Sequence, residues 1–306
     1  MTNSIKVFRT VQQVRNWRLG CLLNRETMGF VPTMGALHEG HCLLVSQSLQ
    51  ENDKTIVSIF VNPSQFAPHE DLEDYPRTLD SDLEILCKKF VQKKVDAVFV
   101  PKVSEMYPAG ITQDVSKQKG AFVNVLGCSE QLEGETRPHF FRGVATVVTK
   151  LLNIVGPTRV YFGQKDAQQC VVIRSLVRDL LIDTEVRVLP TVREKSMLAL
   201  SSRNAYLSED VRQESSLIYQ SLRKGELFYL NHRQNGKVST KEILEQVKST
   251  LVRPDFEIDY VSVNHPDNLD ELEYVEPGVG AILSTAVRVP KRQDGQARLI
   301  DNIILH

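Results

Sequence analysis

The stretch Gly29–Gln47, "GFVPTMGALHEGHCLLVSQ", decides how the chain folds. An apolar, β-type run ends at Val31, Gly35 permits a tight turn, and a helix begins near Leu37 or His38. A strand that passes through a glycine turn into a helix aims unpaired backbone N–H groups at whatever sits above the sheet. His38 and His41, at i and i+3, share a face of the first helical turn, and Gly40 between them leaves room for a ligand to approach the backbone. Imidazoles donate to phosphate oxygens and can carry positive charge, so the stretch suits a polyphosphate. A zinc-protease helix needs His-Glu-x-x-His, which His-Glu-Gly-His does not supply. Two ordinary surface histidines are the plain alternative, and the strand and turn before them favour a site.

Working outward, short β-branched runs at Met28–Val31, Thr55–Val61, Asp96–Val100, Val160–Phe162 and Val186–Val188 read as buried strands. Helical patterns lie between several of them, at Leu43–Gln50, Leu79–Val91, Val144–Val155 and Gln168–Leu181. Such alternation predicts an α/β fold: a Rossmann-like, doubly wound and mostly parallel sheet that binds ligands beyond the carboxyl ends of its strands. After about Pro190 the order changes. Helices near Glu209–Leu227 and Lys241–Leu251 precede strands at Phe256–Val263, Ala281–Val289 and Leu299–Leu305, which predicts a smaller α+β unit. The expected division is 1–190 and 191–306, with Asn231–Thr240 an exposed loop.

Bulk properties exclude some functions. The 306 residues carry a net charge of −1, so no basic field points to nucleic acid, and no apolar run is long enough to span a bilayer. Five scattered cysteines without a Cys-x-x-Cys pair fit reduced thiols in a cytoplasmic enzyme. Lys6, Arg9, Arg15, Arg18 and Arg25 precede the first acid, Glu26, as in a weak transit peptide. A surface helix with Val11, Val14, Trp17 and Leu22 as its apolar side is the preferred reading.

A second stretch, "VPTVREKSMLALSSRNAYLS", places Ser201, Ser202 and Arg203 on a loop after the Val186–Val188 strand. Two hydroxyls and a guanidinium make a phosphate clamp, although alone they would read as a polar turn. The two stretches together resemble the paired signatures of the nucleotidylyltransferase superfamily. With "SIFVNPSQF" (Ser58–Phe66), "YPRTLDSDL" (Tyr75–Leu83) and "YFGQKDAQQ" (Tyr161–Gln169), they strongly resemble the pantoate–β-alanine ligase family, from about Lys6 to the last strand.

That resemblance implies an ATP- and pantoate-binding domain, a C-terminal lid and a homodimer. It implies two steps: pantoate carboxylate attacks the α-phosphorus of ATP, and β-alanine then displaces AMP, with Mg²⁺ accompanying the nucleotide. It places the ATP loop on Met34, Gly35, Ala36, Leu37, His38, Glu39, Gly40 and His41, with His41 as proton donor. Gly163, Gln164, Lys165 and Asp166 match the nucleotide segment, Val192 an adenine contact, and Leu200, Ser201, Ser202 and Arg203 the closing loop. His38 and Lys165 join His41 in the chemistry by screening the approach of two anions. Gln65 and Gln169 match the pantoate glutamines, Gln65 also lying near the β-alanine path. Asp166 fits both a helix cap and a ribose contact. Asp82 falls near the family's magnesium-linked acids, but with Asp80 it also suits the first turn of a helix capped by Thr78, and the structural role is favoured.

Two departures stand out. "RPHFFRGV" puts Phe140 where many members have histidine, with His139 one step earlier, which takes the histidine out of the family's place near pantoate. Ser196 and Met197 replace a usual Asp-Gly, which should stiffen the closing loop. Two rival functions fit the same fold: a nucleotidyltransferase that stops after transfer, and a non-catalytic nucleotide- or tRNA-binding module.

Overall fold

The computed structural model describes residues 5–67, 72–73 and 75–306. The chain forms two compact units: Met1–Gly163 with Val172–Leu189, and Gln164–Val171 with Pro190–His306.

The first unit begins with strand β1 (Lys6–Phe8) and helix α1 (Val11–Leu23). Then follow β2 (Met28–Thr33), α2 (Glu39–Glu51), β3 (Lys54–Ile59), α3 (Leu79–Lys89) and β4 (Ala97–Phe99). Two single-turn helices, α4 (Val103–Met106) and α5 (Glu133–Thr136), lead to α6 (Phe140–Val155), β5 (Arg159–Gly163), α7 (Ala167–Asp179) and β6 (Glu185–Leu189). The six strands form one parallel sheet in the order β1-β4-β3-β2-β5-β6. From β2 the chain steps outward to β3 and β4, then returns to β5 on the other side. The order therefore reverses between β2 and β5, and the crevice beyond the carboxyl ends at such a reversal is where open α/β sheets bind ligands. The turn after Thr33 opens there.

Burial explains the near-continuous apolar runs: Phe30, Val31, Ile56, Val57, Val98 and Phe99 are fully enclosed, as expected of parallel strands covered on both faces. Helix α2 comes close to the sheet because Gly29 has no side chain. A Cβ there would collide with Ser48 Oγ. Helix α1 is the helix expected over the basic N-terminal stretch, capped by Thr10 and Gln13, but its buried residues are Val14 and Cys21, and Leu22 is exposed. Strand β1 was not read from the sequence: three residues flanked by charge carry too little pattern.

In the second unit, Gln164–Asp166 forms a single 3-10 turn before α7, and a second 3-10 turn spans Ser202–Tyr206. Helices α8 (Glu209–Glu214) and α9 (Ser216–His232), strand β7 (Val238–Ser239) and helix α10 (Thr240–Thr250) follow. Strands β8 (Glu257–Asn264), β9 (Tyr274–Val275), β10 (Ala281–Pro290) and β11 (Gln296–Leu305) complete it. Antiparallel strands in the order β11-β10-β8 carry α9 and α10 over a core that includes Leu222, Tyr229, Ile243, Leu283 and Leu299. The expected loop at Asn231–Thr240 is only partly a loop. Val238 is buried and pairs with Val275, a long-range pairing that local polarity conceals. Among the described residues no helix is long and apolar enough to cross a membrane.

Candidate active site

Strand β2 ends at Thr33, whose hydroxyl donates to Ser58 O at 2.7 Å and accepts from the Gly35 N–H at 3.2 Å. Gly35 and Ala36 then take left-handed backbone, with φ of 87° and 49°. Asp82 holds this strained turn. Its Oδ1 accepts the Leu37 N–H at 2.8 Å and its Oδ2 the Ala36 N–H at 3.1 Å, while the Thr78 hydroxyl donates to Oδ2 at 3.3 Å. Asp82 is buried at the start of α3. Its carboxylate is thus committed to the turn. Thr78 makes no side-chain cap and instead donates to Asp82, which corrects the capping expectation. Asp80 and Asp82 do lie in the first turn of α3, with Lys88 and Lys89 in the last, as the helix dipole favours.

His38 is the N-cap of α2. Its Nδ1 accepts the Gly40 N–H at 3.1 Å, and His41 Nδ1 accepts the His38 N–H at 3.3 Å. The two imidazoles form a reciprocal capping box with ring centres 4.1 Å apart. Because each Nδ1 accepts, the hydrogen of each neutral ring lies on Nε2, and both histidines carry an Nε2–H donor. Gly40 was expected to admit a ligand to the backbone. The structure corrects that: a Cβ at Gly40 would lie 2.9 Å from His38 Cε1, so the space is taken by the histidine ring itself.

Beyond β3, Asn62 organises the segment carrying Gln65. Asn62 Oδ1 accepts from Tyr107 OH at 2.6 Å and Ser64 Oγ at 3.0 Å, while its Nδ2 donates to Gln65 Oε1 at 3.0 Å and Gly143 O at 3.2 Å. With Oε1 held, the Gln65 amide turns its Nε2 to Met34 Sδ at 3.1 Å. Burial raises the Tyr107 phenol above its ordinary value, against the lowering effect of Ser64, Arg142 and Asn62, so it serves as a donor. Helix α6 comes this close because of Gly143, where a Cβ would collide with Ser64 O. At the head of α6, His139 is exposed and in left-handed backbone, with φ of 69°, and Phe140 stacks under the Arg137 guanidinium at 3.9 Å. Asn62 was missed in the sequence, where the Asn-Pro step after a strand was its only signal.

In the second unit, the Lys165 ammonium lies 3.5 Å from Asp166 Oδ1, and Asp166 directly precedes α7. Gln169 sits in the first turn of that helix. Residues 192–200 fold into a hairpin. Leu200 N–H donates to Val192 O at 2.9 Å, Arg193 bridges Ala199, and Glu194 N–H donates to Leu198 O at 2.8 Å. The Val192 carbonyl accepts one bond within the hairpin and keeps a second lone pair. Met197 has a φ of 75°, a conformation that suits glycine, so the departure from Asp-Gly places a side chain where the backbone is strained. After the hairpin, Ser201 Oγ accepts the Arg203 N–H at 3.3 Å. Asn204 fastens the turn, donating to Glu194 Oε1 at 2.7 Å and Ala199 O at 3.1 Å, while Arg212 Nε donates to Glu194 Oε2 at 2.8 Å.

The chain matches known proteins over nearly its whole length. The family model for pantoate–β-alanine ligase matches residues 6–304. The chain belongs to the pantoate–β-alanine ligase family. It is 48% identical to the pantoate–β-alanine ligase of Saccharomyces cerevisiae, over 98% of this chain and 100% of that one. The crystal structure of pantothenate synthetase from Thermus thermophilus superposes with a TM-score of 0.83 at 40% identity, covering 98% of this chain and 99% of that one. The pantoate–β-alanine ligase of Francisella tularensis, complexed with beta-gamma ATP and beta-alanine, gives a TM-score of 0.74 at 32% identity over 98% and 97% of the two chains. The chain is accordingly a ligase of pantothenate biosynthesis, forming pantothenate in an ATP-dependent reaction.

Proposed function

We propose that the reaction runs through pantoyl adenylate. A pantoate carboxylate oxygen attacks the α-phosphorus of ATP, the bond to pyrophosphate breaks, and the amine of β-alanine then attacks the activated carbonyl and expels AMP. The observation that carries this reading is the Met34–His41 turn at the sheet's reversal point, inside a chain matched over residues 6–304. The Nε2–H groups of His38 and His41 suit phosphate oxygens, with His41 the proton donor to the leaving group. Lys165 adds a full positive charge, and Ser201, Ser202 and Arg203 add hydroxyl and guanidinium donors, which together screen the approach of carboxylate to triphosphate. The remaining turn residues, Gly163, Gln164 and Asp166, Val192 and Leu200 complete the proposed ATP contacts.

Gln65 and Gln169 are proposed to bind pantoate. An amide matches its hydroxyls and carboxylate with both a donor and an acceptor and adds no net charge. Gln65 also lies on the β-alanine path in this reading. Residues 1–190 would then bind ATP and pantoate and 191–306 act as the lid, in a cytoplasmic homodimer. Among the described residues no group of three His, Cys, Asp or Glu side chains could hold a metal ion. Asp82 accepts the N–H groups of Ala36 and Leu37, which favours its structural role, and a magnesium contact there would run through water. Mg²⁺ would then arrive on the nucleotide's own phosphates.

The test is pyrophosphate release with ATP and pantoate, with and without β-alanine. The reading expects one enzyme equivalent of pyrophosphate in the absence of β-alanine and sustained AMP formation in its presence. Sustained pyrophosphate release that is indifferent to β-alanine would favour a nucleotidyltransferase instead.

A further inference from the structure

Two adjacent residues of β11, Asp301 and Asn302, are 3% and 2% exposed, and the chemistry above uses neither. Successive residues of a strand point to opposite faces, so one dipeptide can reach two separate segments. β11 pairs with β10 along its whole length, Asp301 opposite Thr285 and Asn302 opposite Ser284, which makes the platform stiff.

Asn302 reaches the nucleotide segment. Its Nδ2 donates to Gln164 O and Lys165 O, both at 2.9 Å, and its Oδ1 accepts from Gln164 Nε2 at 3.3 Å. Both amide hydrogens are therefore spent on backbone carbonyls of that segment, including that of Lys165 itself. Asp301 reaches the hairpin. Its carboxylate grips the Arg193 guanidinium through two bonds of 2.6 and 2.9 Å, and Arg193 also donates to Met197 O at 3.3 Å. Asp301 Oδ1 accepts the Asn302 N–H at 2.8 Å, which closes the connection from Met197 to Lys165.

The pair lies in an apolar setting, since Leu299 and Ile303, on the same face as Asp301, belong to the unit's core. A buried ion pair is a weak source of stability because desolvation offsets the attraction, and its best-attested use is to fix one arrangement among several. We propose that Asp301 and Asn302 are positioning residues that hold the Lys165 backbone and the Arg193–Ala199 hairpin in one fixed relation, so that Lys165 and the Ser201–Arg203 segment meet the triphosphate in register. The inference rests on the proposed function, and neither residue touches substrate.

The test uses near-isosteric variants of the full chain, Asn302→Asp and Asp301→Asn, with Arg193→Lys as a third that keeps the charge and loses the fork. Pantoate-dependent pyrophosphate release is measured first on the wild type, then on each variant, normalised to folded protein. Each variant is expected to lose turnover on the order of 30- to 100-fold, the scale of an ångström-sized misplacement. KM for pantoate and for β-alanine should stay near wild type. The Asp301→Asn/Asn302→Asp double variant should fall no further than the worse single one, because the two act through one connection. Unchanged turnover per folded molecule, an equal rise in every KM, or fully multiplicative losses would overturn the inference. If one variant fails to fold, the other two decide. A wild type without pantoate-dependent pyrophosphate release would remove the proposed function and this inference together; an active wild type with unaffected variants would remove the inference alone.

Discussion

Replacing Asp82 by alanine tests what holds the Met34–His41 turn. In the native chain its carboxylate receives the N–H groups of Ala36 and Leu37 at 3.1 and 2.8 Å. Alanine leaves both donors without that partner. Orphaning a buried donor costs about 1–3 kcal/mol, so two give roughly 2–6 kcal/mol. Leu37 is buried, but the Ala36 bond is only partly enclosed and water can satisfy it in part, which places the expectation near ~3 kcal/mol. The loss falls on the turn rather than the whole fold, because Gly35 and Ala36 hold left-handed backbone that relaxes once the anchor is gone. If the native turn is what ATP binds, ~3 kcal/mol corresponds to about a 100-fold loss of kcat/KM for ATP. The assay is steady-state kinetics with ATP varied and the other substrates saturating, repeated across a Mg²⁺ titration. KM for β-alanine should change little, and excess Mg²⁺ should not restore activity. Activity within about threefold of wild type would refute the anchoring argument, and rescue by Mg²⁺ would return Asp82 to the metal.

Other substitutions probe neighbouring parts of the account. Gly35→Ala puts a Cβ 3.0 Å from Asp82 Oδ2 on backbone with φ of 87°, so KM for ATP should rise about tenfold, the equivalent of ~1–2 kcal/mol of left-handed strain; an unchanged KM would count against a rigid turn. Met197→Gly removes a side chain from backbone with φ of 75°, and the thermal midpoint should be no lower than wild type, with a fall of several degrees contradicting the strain assignment. Burial works to raise the Asp259 carboxyl, but hydrogen bonds from Arg288 and Arg298 outweigh it and hold it below its ordinary value of 3.8. A carboxyl depressed in the folded state adds stability that is present above its unfolded value and lost as pH falls through the folded one. An acid titration of thermal stability should therefore be flatter below about pH 4 for Asp259→Asn than for wild type, and parallel curves would contradict it.

Much of the sheet could be read from the chain because parallel strands buried on both faces write themselves as unbroken β-branched runs. Met28–Val31 and Thr55–Val61 became β2 and β3 with small shifts of boundary. The start of α2 near His38 was also legible, since strand, glycine turn and helix follow one another locally, whereas the reciprocal capping by His38 and His41 was not. What could not be read depends on distant partners. Asp82 looked like an ordinary first-turn acid because Ala36 and Leu37, whose N–H groups it receives, lie far back in the chain. Gly40 looked like an opening because nothing in the sequence says that the ring of His38 folds back over it. Val238 sat in a polar stretch and gained its meaning from Val275. Asp301 and Asn302 left a faint trace, a polar pair interrupting "LIDNIIL", but the segments they hold are remote in sequence.

In the proposed mechanism a carboxylate oxygen of pantoate forms a bond to the α-phosphorus of ATP. Pantoate labelled with ¹⁸O in its carboxylate tests this directly, with mass analysis of the products after turnover with β-alanine. Attack by the carboxylate, followed by amine displacement at the carbonyl, leaves one carboxylate oxygen on AMP, so labelled AMP and unlabelled pyrophosphate are expected. Unlabelled AMP, or label in a phosphate released from the other end of the nucleotide, would contradict the account.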